Sequence, residues 1–283
     1  MLTTEEAIRV LRQDPRWQAL IHEAYLGPDL REAARRFEAS AEFGSVIQLL
    51  GGSVSGQEIL DLGAGNGIAS VAFARNGARM VYALEPDGSG EIGRGALQEL
   101  ARGLSVTVLD GVGERLPLAS NSVDVVYTRQ VLHHTRSLPQ VMRECQRVLK
   151  PGGLFLACRE HVVSNRRQLQ QFLRAHPVHG LTGGENAFRL REYLGAIRGS
   201  GLNLLQTLGP WDSVINAFPE VRCKEELAPY LRKVFHNRLG VAGGWLARWP
   251  AASAILRRLL NRRGAGRLYS FLAQKPARPT RCD

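Results

Sequence analysis

Apolar residues in the first fifty positions are spread among charged ones, in three runs that each open on a helix signal. "TTEEAIRVL" starts with a Thr cap and early glutamates, "DPRWQALIHEAYL" sets Asp14 as cap ahead of Pro15, and "PDLREAARRFEASAEFGSVIQLLGG" repeats the pattern from Pro28. From residue 57 the apolar positions condense into short runs, "EILDLG", "MVYALEP", "SVTVLDG", "VDVVYT" and "GGLFLACRE", separated by helical stretches. Strands alternating with helices imply parallel pairing and right-handed crossovers, so the predicted fold class is α/β, a doubly wound, mostly parallel Rossmann-like sheet. Between Glu160 and Leu190 the rhythm breaks: "HVVSNRRQLQQFLRAHPVHGLTGGENAF" holds one helix-like portion and a Gly-rich, His-containing stretch, too long for an ordinary connection. "RLREYLGAIRGSGL" then resumes as a helix ending near Gly201, and "NLLQTLG" reads as a strand. The expected organisation is a helical N-terminal cover over 1–52, a sheet domain over 53–210 with an insertion at 161–190 bordering the site, and a basic, mostly helical C-terminal appendage over 211–283.

Composition narrows the setting. With 283 residues, 44% of them hydrophobic, the chain can bury one catalytic-sized core with additions. Cys145, Cys158, Cys223 and Cys282 are far apart and form no CxxC pair, which suggests a reducing compartment, so cytoplasm is the expectation. No apolar stretch approaches the ~20 residues of a membrane span, and the N-terminus lacks a signal peptide's apolar centre. The formal net charge is +11, and residues 222–283 hold 14 Lys/Arg against 3 Asp/Glu, so the whole excess lies at that end.

"ILDLGAGNG" (59–67) places three glycines directly behind the first strand. Parallel sheets bind ligands at the carboxyl ends of their strands, and glycine lets the backbone approach a ligand with no Cβ in the way. A dinucleotide fingerprint would need its third glycine where Ile68 stands, and a P-loop would need Gly-Lys-Ser/Thr, which does not follow. About twenty residues on, "VYALEPDG" places Glu85 at the end of the second strand, where an acid can accept both hydroxyls of a ribose. The ligand expected is an adenosine without phosphates.

With "LEPD", "ERLPLASNSVDVVYTRQVLHHT" and "ECQRVLKPGG" following in order, residues 58–157 resemble the class I S-adenosylmethionine-dependent methyltransferases, specifically the type 11 group, which includes quinone C-methyltransferases and many enzymes acting on small molecules. The resemblance implies S-adenosyl-L-methionine as cofactor. It sets Gly63, Ala64, Gly65 and Gly67 along the methionine, Asp61 behind that loop, Glu85 on the ribose, Pro86 and Asp87 beside the adenine, and Arg129 near the cofactor. The family commonly reads Gly-Asp-Ala where this chain reads Gly111-Val112-Gly113, so Asp110, Glu114 or backbone carbonyls are the substitutes expected to meet the adenine.

Methyl transfer from a sulfonium is an in-line displacement for which positioning supplies much of the acceleration, and a side-chain base is optional. His133 and His134, after the fourth strand, face the acceptor mouth by that resemblance; the plainer alternative is that "LHH" opens the next helix, one imidazole capping or packing. His161, just past the fifth strand, is a third candidate base. Glu160, His161, His176, His179 and Glu185 include metal-ligand types, but Pro177 between His176 and His179 prevents an ordinary helical display, so no metal is expected; acceptor binding is the preferred use, with a surface loop of polar residues as the close alternative. In the tail, Ala252, Ile255, Leu256, Leu259 and Leu260 recur at helical spacing beside Arg257, Arg258, Arg262 and Arg263. A solvated basic face, an anionic membrane surface engaged through Trp245 and Trp249, and nucleic acid compete as explanations, with nucleic acid last because no readout module accompanies the charge. The expected function is S-adenosylmethionine-dependent methyl transfer to a small-molecule or lipid- or envelope-associated acceptor, on a cytoplasmic protein with a peripheral membrane association as the variant. The alternatives are a binding protein that keeps the fold without turnover and, more distantly, a dehydrogenase.

Overall fold

A computed structural model describes residues 1–261 and 265–277, the side chain of Leu260 excepted. Arg262, Arg263 and Cys282, named above, lie outside the described residues. Thr3 and Glu6 form a capping box that opens α1 (Thr4–Gln13), Asp14 caps a short 3-10 turn leading into α2 (Gln18–Glu23), and Asp29 and Ser40 cap α3 (Leu30–Glu38) and α4 (Ala41–Leu49). There follow β1 (Glu58–Leu62), α5 (Ile68–Arg75), β2 (Met80–Leu84), α6 (Arg94–Leu100), β3 (Val106–Leu109), β4 (Val123–Arg129), α7 (Leu138–Val148) and β5 (Leu149–Val163). The insertion holds two helices, α8 (Arg166–Ala175) and α9 (Pro177–Thr182), before β6 (Phe188–Arg189), α10 (Leu190–Gly199) and β7 (Asn203–Leu208). The last stretch forms α11 (Val214–Ala217), α12 (Leu227–Leu246), broken by non-helical backbone at Gly240, α13 (Pro250–Leu260) and β8 (Arg267–Gln274).

The strands form one sheet in the order β3-β2-β1-β4-β5-β8-β7, with β6 paired to the end of β5. The five strands from β3 to β5 run parallel, whereas β8 is antiparallel to both β5 and β7. Strand order reverses between β1 and β4, the switch point at which such sheets bind ligands. The sheet therefore does not finish before residue 211: β8 completes it, and the stretch 211–261, mostly helical as expected, lies between its last two strands instead of being appended after the sheet.

Both sheet faces are covered, so alternate residues of one strand enter opposite cores: Ile59, Val125 and Tyr127 pack on one face, Leu60 and Val126 on the other. The first core takes in α3, α4 and α5 through Phe37, Phe43 and Phe73, whose rings continue to Tyr127 with centroids 5.0–5.4 Å apart. The N-terminal helices are thus structural as well as a cover. α1 and α9 meet over the cleft through Ile8, Leu11, Ile92, Val178 and Leu181. In the tail, Leu256 packs inward, while Ile255 and Leu259 face solvent, so the helical stripe is only partly buried. Among the described residues no helix is long and apolar enough to cross a membrane.

Candidate active site

The glycines after β1 adopt left-handed backbone, with φ of +71° at Gly63, +54° at Gly65 and +86° at Gly67, which a side chain would resist. Two of them are also pressed against neighbours. A Cβ on Gly63 would stand 2.4 Å from Val131 Cγ2, and one on Gly67 would stand 2.3 Å from Leu97 Cδ1. At Gly65 the nearest atom to such a Cβ is the Ile92 carbonyl oxygen, 3.7 Å away, so there the backbone keeps room beside it. Asn66 fixes the turn from above by donating to the Tyr25 carbonyl at 3.0 Å.

Glu85 forms the lip of this cradle. Its carboxylate accepts the Gly65 N–H and the Asp87 N–H, each at 2.8 Å, and burial raises its pKa against those two donors. Asp61, fully buried below, accepts from Ser70 Oγ at 2.6 Å and so ties β1 to α5 behind the glycine turn. Burial pushes the Asp61 carboxyl up to about 7, against the Ser70 hydrogen bond and aided by the Glu85 charge. Two carboxyl groups at this turn are compatible with hydroxyls and a cation and unfavourable for phosphates.

The adenine side is organised by Arg94, a residue the sequence reading missed. Its Nη1 lies 2.8 Å from the Glu85 carbonyl, 2.7 Å from the Pro86 carbonyl and 2.7 Å from Asp110 Oδ1, which joins the ends of β2 and β3. Asp87 accepts from the Ser89 N–H at 2.9 Å, winding the same loop. Gly111 and half-exposed Val112 line an open cavity of about 570 Å³ with Asp110, Arg115, Leu116, Pro117 and Leu118. Gly113 abuts Val141, and the Glu114 carboxylate turns to the backbone N–H groups of Arg136 and Ser137 at the start of α7. Of the two acids expected to replace the missing aspartate, Asp110 is thus engaged by Arg94 and Glu114 by a helix start.

Arg129 points into the layer of N-terminal helices. It pairs with fully buried Glu42 at 2.7 and 3.1 Å and lies over the rings of Tyr25 and Phe37. Burial opposes its charge, but the Glu42 carboxylate outweighs that and raises the guanidinium pKa.

On the acceptor side, the turn Leu132–His134 sits against the end of β5. Buried Glu160 accepts the backbone N–H groups of Val131, Leu132 and His133 at 3.0–3.2 Å and pairs with His133 Nδ1 at 2.8 Å. Burial works against ionising Glu160, yet the His133 bond and those donors bring its pKa below the usual carboxylate value. Half-exposed His134 stacks near His133, ring centroids 4.1 Å apart. His161 donates Nδ1–H to the Gly266 carbonyl at 3.1 Å and packs on Phe172; burial, aided by His133, pushes its pKa down to about 3. So weak a base takes up a proton poorly at neutral pH. Glu185 arrives from the insertion and lies 3.7–3.8 Å from His133 Nε2, His134 Nε2 and His176 Nδ1.

Residues 60–157 match the family described as "Methyltransferase domain". A ubiquinone biosynthesis O-methyltransferase of Agrobacterium fabrum is 28% identical over 166 residues, 57% of this chain and 66% of that protein. A demethylmenaquinone methyltransferase of Clavibacter sepedonicus is 36% identical over 105 residues, 37% of this chain and 42% of that one. This chain carries a class I, S-adenosylmethionine-dependent methyltransferase domain.

The chain spans just under two thirds of the length of the Agrobacterium relative. The fold of the methyltransferase domain recurs in geranyl diphosphate methyltransferase solved with SAM (TM-score 0.57, 18% identity, 89% of this chain and 94% of that chain). It recurs equally in the [4+2]-cyclase SpnF (TM-score 0.57, 20% identity, 96% of each chain). S-adenosylmethionine is the cofactor of this domain, and the cradle suits it: Gly65 leaves space beside the backbone, and Glu85 offers acceptor positions beyond its two bonds.

Proposed function

We propose that the whole chain transfers a methyl group from S-adenosylmethionine to a small hydroxylated or quinone-like acceptor. The observation that carries this reading is the buried Glu85 carboxylate bonded to the Gly65 N–H at the lip of a cradle that also holds Asp61. Glu85 would hold the ribose hydroxyls, the turn from Gly63 to Gly67 would lie along the methionine portion, and Asp61 would support that turn from behind through Ser70. The bound cofactor supplies an electrophilic methyl group. The protein aligns the acceptor with it at the end of β4, where Val131 packs on Gly63 and His133 follows within the same turn. α1 and α9, meeting above, limit water. Names of the relatives, two of which act in ubiquinone or menaquinone formation, support a quinone-type acceptor. Calorimetry with S-adenosylhomocysteine tests the cofactor half: binding to the wild type, weakened ~10- to 100-fold by Glu85→Ala as expected for a lost charge-assisted bond, with no binding of NAD. Labelled cofactor incubated with extract, and product identification by mass spectrometry, tests the acceptor half. Cofactor binding without any labelled product would favour a binding protein that keeps the fold without turnover.

A second reading concerns where the acceptor is met. Leu239, Val241, Trp245, Trp249, Ile255 and Leu259 are all at least 45% exposed, and Arg238, Arg248 and Arg258 stand exposed among them. Apolar anchors interleaved with arginines suit the headgroup layer of an anionic membrane. That placement accords with a quinone-like or lipid-linked substrate.

A further inference from the structure

We propose that His133, His134 and Glu185 form a binding site for one divalent transition-metal ion at the acceptor end of the cleft, with an open position for an acceptor oxygen. The ligand atoms of these three residues lie within 4.8 Å of one another, and the Glu185 carboxylate is 3.8 Å from His133 Nε2 and 3.7 Å from His134 Nε2. Those separations are too long for hydrogen bonds. Ligands at the ~2.0–2.1 Å typical of zinc stand about 3.3 Å apart in a tetrahedron, so the carboxylate needs to approach each ring by about half an ångström, and the two imidazole nitrogens, within 4.8 Å of each other, need to close by up to about 1.5 Å through rotation of exposed His134.

What surrounds the cluster favours an ion over a loose polar network. Glu160, fully buried, bonds His133 Nδ1 at 2.8 Å and is itself anchored by three backbone N–H groups, so Nδ1 carries the proton and the Nε2 lone pair is directed at Glu185. A carboxylate behind a ligating imidazole is the arrangement that fixes tautomer and orientation in metal sites. His134 comes from the next position in the same tight turn, so one local structure presents both imidazoles, while Glu185 is brought from fifty residues away by α9 docking on α1. His161 is excluded as a ligand through Nδ1, which is occupied by Gly266, and His176 Nδ1 accepts the His179 N–H at 3.4 Å while facing the other Glu185 oxygen at 3.8 Å. Two imidazoles and one carboxylate leave a coordination position vacant, as in zinc sites that act on a bound oxygen. A metal there would lower the pKa of an acceptor hydroxyl, which explains how the domain manages without a well-placed strong base. That role rests on the function proposed above; the metal site itself does not.

The test uses the full chain freed of metal by chelation. Zinc titration followed by calorimetry, and cobalt substitution followed by its visible absorption, are expected to show one equivalent bound. Glu185→Gln and His134→Ala, neither in a packed core, are expected to weaken zinc by more than about 100-fold, and Glu160→Gln, acting through His133, by ~10- to 100-fold, with circular dichroism and S-adenosylhomocysteine affinity of the first two unchanged. Absence of stoichiometric zinc or cobalt, or binding that survives both ligand substitutions, overturns the proposal. S-adenosylhomocysteine binding without metal binding refutes the site and leaves the methyltransferase reading intact; metal binding without S-adenosylhomocysteine binding does the reverse.

Discussion

Asp61 sets a pH dependence of stability that can be calculated in advance. Its carboxyl is fully buried, bonded to Ser70 Oγ, and raised by burial from the ordinary 3.8 to about 7. The folded state therefore holds this proton more tightly than the unfolded chain, so the group's contribution is complete below pH ~4 and is lost as pH rises through 7. A shift of that size corresponds to about 4 kcal/mol at 1.36 kcal/mol per unit, of which about 2.5 kcal/mol falls between pH 5 and pH 8. Asp61→Asn removes the titration while keeping the shape. Urea denaturation of both proteins at pH 5 and pH 8 reads the double difference, in which groups common to both largely cancel. The wild type should lose about 2.5 kcal/mol more than the variant over that interval. Equal losses in the two proteins would show that Asp61 ionises freely inside the fold, and the account of the glycine turn resting on a desolvated carboxyl would fail.

Glu42→Ala leaves Arg129 buried beside Tyr25 and Phe37 with its carboxylate gone; denaturant unfolding should record a loss of ~3–5 kcal/mol, the usual cost of orphaning a buried charge. Gly63→Ala combines a φ of +71° with a Cβ 2.4 Å from Val131; the left-handed strain alone costs ~1–2 kcal/mol, and S-adenosylhomocysteine affinity should fall, with Val131→Ala recovering only the steric part. Trp245→Ser with Trp249→Ser should abolish pelleting with phosphatidylglycerol vesicles at low salt while leaving the melting temperature within a few degrees, since both rings are more than half exposed. Pelleting unchanged by that pair would leave the basic face a merely solvated one.

The glycine turn and Glu85 were legible because each is a local pattern read at a fixed distance behind a strand. The partners that give them meaning were not. Arg129 and Glu42 are 87 positions apart, and Arg94 reaches Asp110 across two strand ends, pairings that only the packed sheet creates. β8 was hidden for a different reason: Leu268, Phe271 and Leu272 fall at helical spacing directly after a basic helical run, yet Tyr269 to Ala273 are all buried, as befits a strand covered on both faces. Pro177 argued against a metal by forbidding His176 and His179 on one helical face, but the imidazoles that converge are His133 and His134, adjacent in a turn that spacing rules for helices do not describe. That convergence depends on Glu185 being folded back by α9.

The end of β4 is held from two sides by buried carboxylates, and this explains how so irregular a backbone stays ordered there. Gln130 has a φ of +57° and Arg159 one of +60°, conformations that non-glycine residues adopt at a cost. Between Ala157 and Glu160 the pairing of β5 with β8 shifts register, so the strand bends just before Glu160, and such irregularities re-aim a side chain. Glu160 then meets three consecutive N–H groups beyond Gln130, while Glu42 holds Arg129 immediately before it. Arg159, for its part, donates to the carbonyls of Ile215 and Phe218. The strained residues are thus each flanked or held by hydrogen bonds to buried partners, and the side chains that emerge beyond them, His133 and His134, are positioned by the sheet itself rather than by a mobile loop.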